Sequence, residues 1–248
     1  MNAPALQARG ISRCFGGLVA VDDVDLVADI GLVTAVIGPN GAGKSTLFAC
    51  LAGQDQPDAG QVMMFGSDVT RLSPDARARR GMARTFQRIA VFSSLSVADN
   101  VRVGAENRRR RGLFPSIARA SAAEDARAED RVQTMLDLLG LRPFADQPAA
   151  QLPTGILRLV ELARALSGQP QIVLLDEPAS GLDDEQMAQL PATLRAIAAD
   201  GCAVLVVEHD LSLVFAAADV VHVLAAGRIV QSGPPAEIRA DTTMRAGQ

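Results

Sequence analysis

A short apolar run, Val33–Ile37, leads straight into Gly38-Pro39-Asn40-Gly41-Ala42-Gly43-Lys44-Ser45-Thr46, and no other stretch of the chain restricts the fold so tightly. The spacing is that of a phosphate-binding loop, which needs a strand before it and a helix after it. Its glycines let successive backbone N–H groups turn toward an anion, and the helix contributes the positive end of its dipole. Lys44 then reaches the β- and γ-phosphates of a bound nucleotide, and the Ser45 hydroxyl coordinates Mg²⁺. A plain glycine-rich turn is the competing reading. The strand–loop–helix context favours a nucleoside triphosphate site with residues 38–46 as its cradle.

Short β-branched runs bounded by Gly, Pro or Asp predict strands at 6–13, 24–27, 33–37, 62–65, 172–175, 203–207, 220–224 and 228–231. Ala225-Ala226-Gly227 reads as the turn of a closing hairpin. Helical stretches alternate with the central and later strands, so the fold class is α/β. The expected architecture is a P-loop core with a parallel central sheet, an N-terminal antiparallel β subdomain and an inserted α-helical subdomain, all within one domain over 1–248. The insertion, at about 89–165, shows few strand signals and several helix starts. Ser96-Val97-Ala98-Asp99 fits a capping box, and Gly140 fits a helix stop. Thr154 is expected to cap a helix running to Gly168, with Ile156, Val160 and Ala163 on one apolar stripe.

A second chemical signal is Ile172-Val173-Leu174-Leu175-Asp176-Glu177. Four apolar residues make a buried strand that delivers two carboxylates to its end. Asp176 suits a Mg²⁺ ligand, through water, and Glu177 suits a general base for the attacking water. An acidic pair at a strand end is ordinary by itself; alongside the phosphate loop it points to ATP hydrolysis.

Composition narrows the classes further. The formal net charge of −4 disfavours a nucleic-acid binder, and without Trp or Tyr the chain offers few platforms for stacking bases. Cys14, Cys50 and Cys202 are scattered and lack ligand spacing, so they read as reduced, mostly buried thiols. The most apolar stretch, 211–227, is broken by Asp219 and His222 and falls short of the ~20 residues a spanning helix needs. The first ten residues lack the apolar core of a signal peptide. Any membrane link is therefore expected to come through a partner.

Three further segments occur in an order that resembles the ABC-transporter ATPase family over nearly the whole chain. Thr85-Phe86-Gln87 resembles its Q-loop, Ser180-Gly181-Leu182-Asp183 its D-loop, and Glu208-His209-Asp210 its switch histidine. Taken singly, they are a polar loop residue, a helix cap and a strand-end imidazole; their joint order carries the resemblance. It implies that Gln87 senses Mg²⁺ and the γ-phosphate, that Asp183 belongs to the nucleotide site, and that His209 hydrogen-bonds the γ-phosphate and holds the attacking water. Phe15 falls where the family stacks an aromatic on adenine, with Val21 nearby; a core phenylalanine at a strand end is the alternative.

Within the family, Phe15-Gly16-Gly17-Leu18-Val19-Ala20-Val21-Asp22-Asp23 and Arg84-Thr85-Phe86-Gln87-Arg88 resemble the subgroup serving branched-chain amino-acid importers. So do Arg110-Arg111-Gly112-Leu113-Phe114 and Val207-Glu208-His209-Asp210. Urea-type importers and the lipopolysaccharide-export ATPase look similar, so the cargo stays open at this point. The resemblance implies transmembrane permease subunits, a second ATPase subunit, indirectly a substrate-binding protein, and a peripheral place on the cytoplasmic face of the cell membrane.

One segment departs from the family. Its signature loop, usually Leu-Ser-Gly-Gly-Gln, corresponds to Leu152-Pro153-Thr154-Gly155-Ile156, and in the family this loop closes over the partner's ATP. Pro153 supplies neither hydroxyl nor N–H, Ile156 cannot replace the glutamine's contacts, and the Thr154 hydroxyl compensates only in part. Two readings follow: a heterodimer with a partner carrying an intact signature, or a tolerated variation; a weakly hydrolysing regulatory subunit is a third. The run Arg108 to Arg111 is either a solvated loop or a contact to anionic headgroups and partner loops. A small-molecule kinase and a soluble ABC ATPase in translation or DNA maintenance explain fewer of the segments.

Overall fold

Residues 3–86, 88–107 and 122–239 are described by the computed structural model, and they fall into two units. In chain order the elements are β1 (Leu6–Phe15), β2 (Leu18–Ala28), β3 (Val33–Ile37), α1 (Lys44–Ala52), β4 (Ala59–Met64), β5 (Ser67–Asp68), α2 (Pro74–Arg79) and β6 (Met82–Arg84). There follow α3 (Val97–Asn107), α4 (Ala122–Leu138), α5 (Thr154–Ser167) and β7 (Ile172–Asp176). The chain continues through α6 (Asp184–Ala199), β8 (Ala203–Val207), α7 (Leu211–Ala217), β9 (Val220–Ala225) and β10 (Arg228–Gly233). One unit holds the chain up to Arg84, Gln171–Ala179 and the chain from Met187; the other holds Thr85–Pro170 and Ser180–Gln186.

The first unit contains two sheets. The larger has the order β10-β9-β3-β8-β7-β6, parallel throughout except for the β9–β10 hairpin. Every residue of β3, β7 and β8 is buried, as expected of strands covered on both faces. The smaller sheet, β2-β1-β4-β5, is antiparallel. Helix α1 touches β1 and β2 of the smaller sheet and β7 of the larger one. Its Leu47, Phe48, Cys50 and Leu51 join one apolar core with residues of both sheets, including Ile11, Val36, Leu174 and Leu205. The α/β class, the parallel centre and the antiparallel N-terminal sheet are all present.

Several boundaries differ from expectation, for local reasons. β1 and β2 run further than their apolar stretches because register shifts carry the pairing past Asp23, which takes φ 51° and anchors its N–H on Ser12 Oγ at 3.0 Å. Phe65, expected in a strand, begins the β4–β5 turn instead, with φ 49°. The hairpin turn at Ala226 and Gly227, with φ 47° and 80°, is where the sequence puts it. Strands β5 and β6 have no sequence counterpart, being only two and three residues long.

In the second unit α3 packs on α4 and α5. The Ser96 hydroxyl accepts from Asp99 N at 3.0 Å and donates to the Asp99 carboxylate at 2.7 Å, the expected box. Gly140, at φ 65°, ends the α4 turn, where Leu141 N–H returns to Leu136 O at 2.7 Å. Ile156, Val160 and Ala163 are buried together along α5. Thr154 does not cap that helix: Pro153 holds the cap position, without a side-chain bond, and Thr154 is the first helical residue. Proline's fixed φ, −59° here, suits the helix entry and displaces the cap by one residue. Among the described residues no helix is long and apolar enough to cross a membrane.

Candidate active site

The loop 38–46 is wedged between two other strands, and at Gly38 and Gly43 nothing larger fits. A Cβ on Gly38 would sit 2.1 Å from Leu224 O of β9, and one on Gly43 would sit 2.1 Å from Ala20 O of β2. Gly227 N–H donates to Ala42 O at 3.0 Å and Ala42 N–H to Pro39 O at 3.2 Å, which fixes the loop's course. Lys44 is nearly buried, and its ammonium donates to Gly38 O at 2.6 Å and Pro39 O at 3.0 Å, holding a positive charge within the loop. Ser45 and Asn40 are exposed, and Thr46 is half-buried.

Helix capping sets the starts of α1 and α5 apart from those of α2, α3, α6 and α7. α2, α3, α6 and α7 begin with a side-chain oxygen on a first-turn N–H: Ser73, Ser96, Asp183 and Asp210. α1 begins at Gly43 with no side-chain cap and no acid in its first turn, and α5 begins at Pro153 likewise. Unfilled N–H groups at a helix start, with the positive end of the dipole, favour an anion.

At the end of β7, Asp176 is buried and its Oδ2 lies 3.2 Å from Arg84 Nη2, on the neighbouring strand β6. Arg84 also donates to Gln54 Oε1 and stacks over Phe48, and its burial lowers its pKa. Glu177 takes φ 49°, a left-handed conformation uncommon for a residue with a side chain, and its N–H donates to Val207 O at 2.9 Å. Its Oε1 lies 4.0 Å from His209 Nδ1, whose imidazole is largely exposed. Beside them Glu208 is fully buried, which raises its pKa, and it accepts backbone N–H bonds from Ala179, His209 and Asp210. Lys44, Asp176, Glu177 and His209 thus belong to one unit around adjacent parallel strand ends.

In the second unit the start of α5 abuts residues 181–186. A Cβ on Gly155 would lie 2.5 Å from Gly181 O and 2.7 Å from Gln186 Oε1. Asp183 caps α6 through Gln186 N at 2.8 Å, and Gln186 Oε1 returns to Asp183 N at 3.2 Å. From α5, Arg158 donates to Phe86 O at 2.6 Å, while buried Glu161 accepts from Phe86 N at 3.3 Å. Burial raises the Glu161 pKa against the bonds it accepts. Leu152 is half-buried; Pro153 and Thr154 are exposed. Gln87 and Arg108 to Arg111 lie outside the described residues.

A family model for ABC transporters matches residues 21–180. The chain belongs to the ABC transporter family. As an ABC ATPase it binds ATP or ADP and hydrolyses ATP, and ATPases of this family dimerise and work with transmembrane permease subunits. The ABC ATPase is 35% identical over 242 residues to the high-affinity branched-chain amino acid transport ATP-binding protein LivG of Salmonella typhimurium, covering 96% of this chain and 95% of that protein. It is 38% identical over 235 residues to the sulfate/thiosulfate import ATP-binding protein CysA of Mycolicibacterium paratuberculosis, covering 94% of this chain and 60% of that protein. A solved structure, the ADP conformation of MJ1267, an ATP-binding cassette of an ABC transporter, superposes with a TM-score of 0.81 at 28% identity. It covers 96% of this chain and 94% of that chain.

Phe15, expected to stack on adenine, is 46% exposed at the end of β1, so it is no core residue. Arg13 stacks over its ring at 4.7 Å and is itself paired with Asp58. Val21 points into the core with no exposed surface; the exposed apolar surface beside Phe15 belongs to Leu18 and Val19. Sequence reasoning gave no separate role to Arg84, Glu208, Arg158 or Glu161. A carboxylate directly after five buried apolar residues was the available signal for Glu208. Of the three cysteines, Cys50 and Cys202 are buried, with pKa values pushed up to about 11 and about 12, and Cys14 is exposed, in keeping with thiols expected to be mostly buried.

Proposed function

We propose that this ABC ATPase energises an importer of branched-chain amino acids or similar small polar solutes, from the cytoplasmic face of the membrane. The observation that carries the reading is the end-to-end match to LivG, which leaves neither chain with a large unmatched segment. The CysA match supports a second reading, sulfate import, but covers a smaller share of that protein. Reconstitution into vesicles with permeases from the same genetic locus tests both. Uptake of labelled leucine on addition of ATP inside a cytoplasm-facing lumen supports the first; uptake of sulfate without leucine overturns it.

Within the site, Lys44 and the loop N–H groups bind the β- and γ-phosphates, Glu177 takes the proton of the attacking water, and His209 with Gln87 orients that water and the γ-phosphate. Phe15 stacks on adenine. The residues fit Mg²⁺: Ser45 and Asp176 offer hard oxygen donors, and Gln87 is assigned as a third. No group of three His, Cys, Asp or Glu forms a protein-only cage among the described residues. Mg²⁺ commonly binds through one or two carboxylates plus substrate phosphates, and when bound here it neutralises phosphate charge.

Pro153 favours a heterodimer with a second ATPase. The start of α5 keeps open N–H groups at Thr154 and Gly155 yet lacks the serine hydroxyl and one N–H. Losing one preorganised donor costs about 10²–10³ in rate, and the cost falls on the partner's ATP. Purified homodimer is expected to hydrolyse slowly and to be accelerated by Pro153→Ser. Fast, cooperative hydrolysis that Pro153→Ser leaves unchanged overturns the heterodimer.

A further inference from the structure

Glu208 lies at the junction of three segments that carry the site. Its own N–H donates to Val36 O at 3.3 Å, on the strand that feeds the phosphate loop. Its Oε1 accepts from Ala179 N at 2.9 Å, two residues beyond Glu177. Its Oε2 accepts from His209 N at 3.0 Å and Asp210 N at 3.5 Å. The carboxylate has no exposed surface, and every one of these side-chain contacts is an N–H donor. Only a group with two acceptor oxygens satisfies both turns at once; an amide of the same shape turns its NH₂ against one of them. Leaving a buried N–H unpaired there frees a turn whose conformation needs holding, since Glu177 sits at φ 49°.

We propose that Glu208 is a positioning residue for hydrolysis. Its buried carboxylate ties the turn presenting Glu177 to the turn presenting His209, so that base and imidazole keep one relative geometry. The inference rests on the roles given above to Glu177 and His209. It assigns Glu208 no contact with nucleotide and no proton transfer.

The test compares wild type, Glu208→Gln, Glu208→Asp and Glu177→Gln by three measurements on the full chain. These are kcat and KM for ATP, binding of a fluorescent ATP analogue, and amide hydrogen exchange. Glu208→Gln is expected to lower kcat by about 10–100-fold, because small misplacement of reacting groups costs that much, with nucleotide affinity nearly unchanged. Exchange is expected to accelerate in the peptides carrying 177–182 and 208–213 and not elsewhere. Glu208→Asp keeps both oxygens on a stem too short to reach both turns, so its kcat should fall between the two; where Glu208→Gln fails to fold, it carries the test alone. Unchanged kcat, or exchange that rises uniformly with lowered thermal stability, overturns the proposal. Full turnover in Glu177→Gln instead overturns the underlying assignment of the base, and the exchange pattern reads the tie between the turns independently of it.

Discussion

Asp176 Oδ2 meets Arg84 Nη2 at 3.2 Å, so the carboxylate assigned to Mg²⁺ is paired with a buried guanidinium from the neighbouring strand. Removing one partner of a buried pair typically costs about 3–5 kcal/mol, because the other charge stays uncompensated. A bound cation supplies that missing charge, and a ligand specific to the folded state stabilises it by linkage. Arg84→Met is therefore expected to melt several degrees lower in EDTA and to gain more than wild type from Mg²⁺ with ATP. Thermal unfolding in the two conditions measures this. An equal gain in both proteins removes the competition between guanidinium and metal.

Arg77 is a buried arginine whose hydrogen bonds go to carbonyls rather than to an acid. Its guanidinium donates to Cys50 O, Leu51 O, Thr70 O and Leu72 O at 2.8, 2.6, 2.9 and 3.2 Å. Two of these close the C-terminus of α1, where the helix dipole welcomes a cation. Burial pushes its pKa down to about 10, still well above neutrality. Arg77→Met keeps much of the volume and loses every bond; about 3 kcal/mol of stability should go, since bonds to charged groups contribute about 1.5–3 each and do not add fully. Denaturant titration checks it, and a loss below ~1 kcal/mol contradicts the clamp.

His222 sets a pH dependence. Nδ1 lies 2.7 Å from Ser232 Oγ, and Nε2 is buried with no partner among the described residues, so the ring is held neutral and burial lowers its pKa. A base with a folded pKa below its unfolded value of about 6.5 contributes stability that is complete above that value. The contribution is lost as pH falls through the folded pKa. At pH 8, His222→Leu should be about 1 kcal/mol less stable than wild type, for the lost serine bond. Between pH 6.5 and 5 the gap should close. Parallel stability curves over that range contradict the assignment.

Gly155, the second residue of α5, packs against a backbone carbonyl, and this decides the sign of its substitution. Alanine gains up to ~1 kcal/mol of helix propensity, whereas overpacking costs about 1–3. A methyl 2.5 Å from Gly181 O cannot be relieved by a side-chain rotation, so overpacking wins. Gly155→Ala is expected to melt lower and to shift residues 181–183, reducing turnover more than ATP binding. Raised thermal stability with unchanged kcat contradicts this.

The long elements were legible because their signals are local. β3, β7 and β8 are short runs of apolar residues, broken only by Thr34 and closed by Asp176, and the phosphate loop and Ser96–Asp99 box satisfy hydrogen bonds within a few residues. The two-residue β5 and three-residue β6 carry no period, and they exist only because a neighbouring strand pairs with them. Residue types and spacing also named Lys44, Asp176 and Glu177 as chemical groups in advance, and the family resemblance added His209. Folding alone decided that Arg84 faces Asp176, that Glu208 is buried between two turns, that Val21 points inward, and that Pro153 rather than Thr154 heads α5. Such pairings join positions as far apart as 84 and 176, and a charge or N–H finds its partner by proximity in space, which no spacing along the chain encodes.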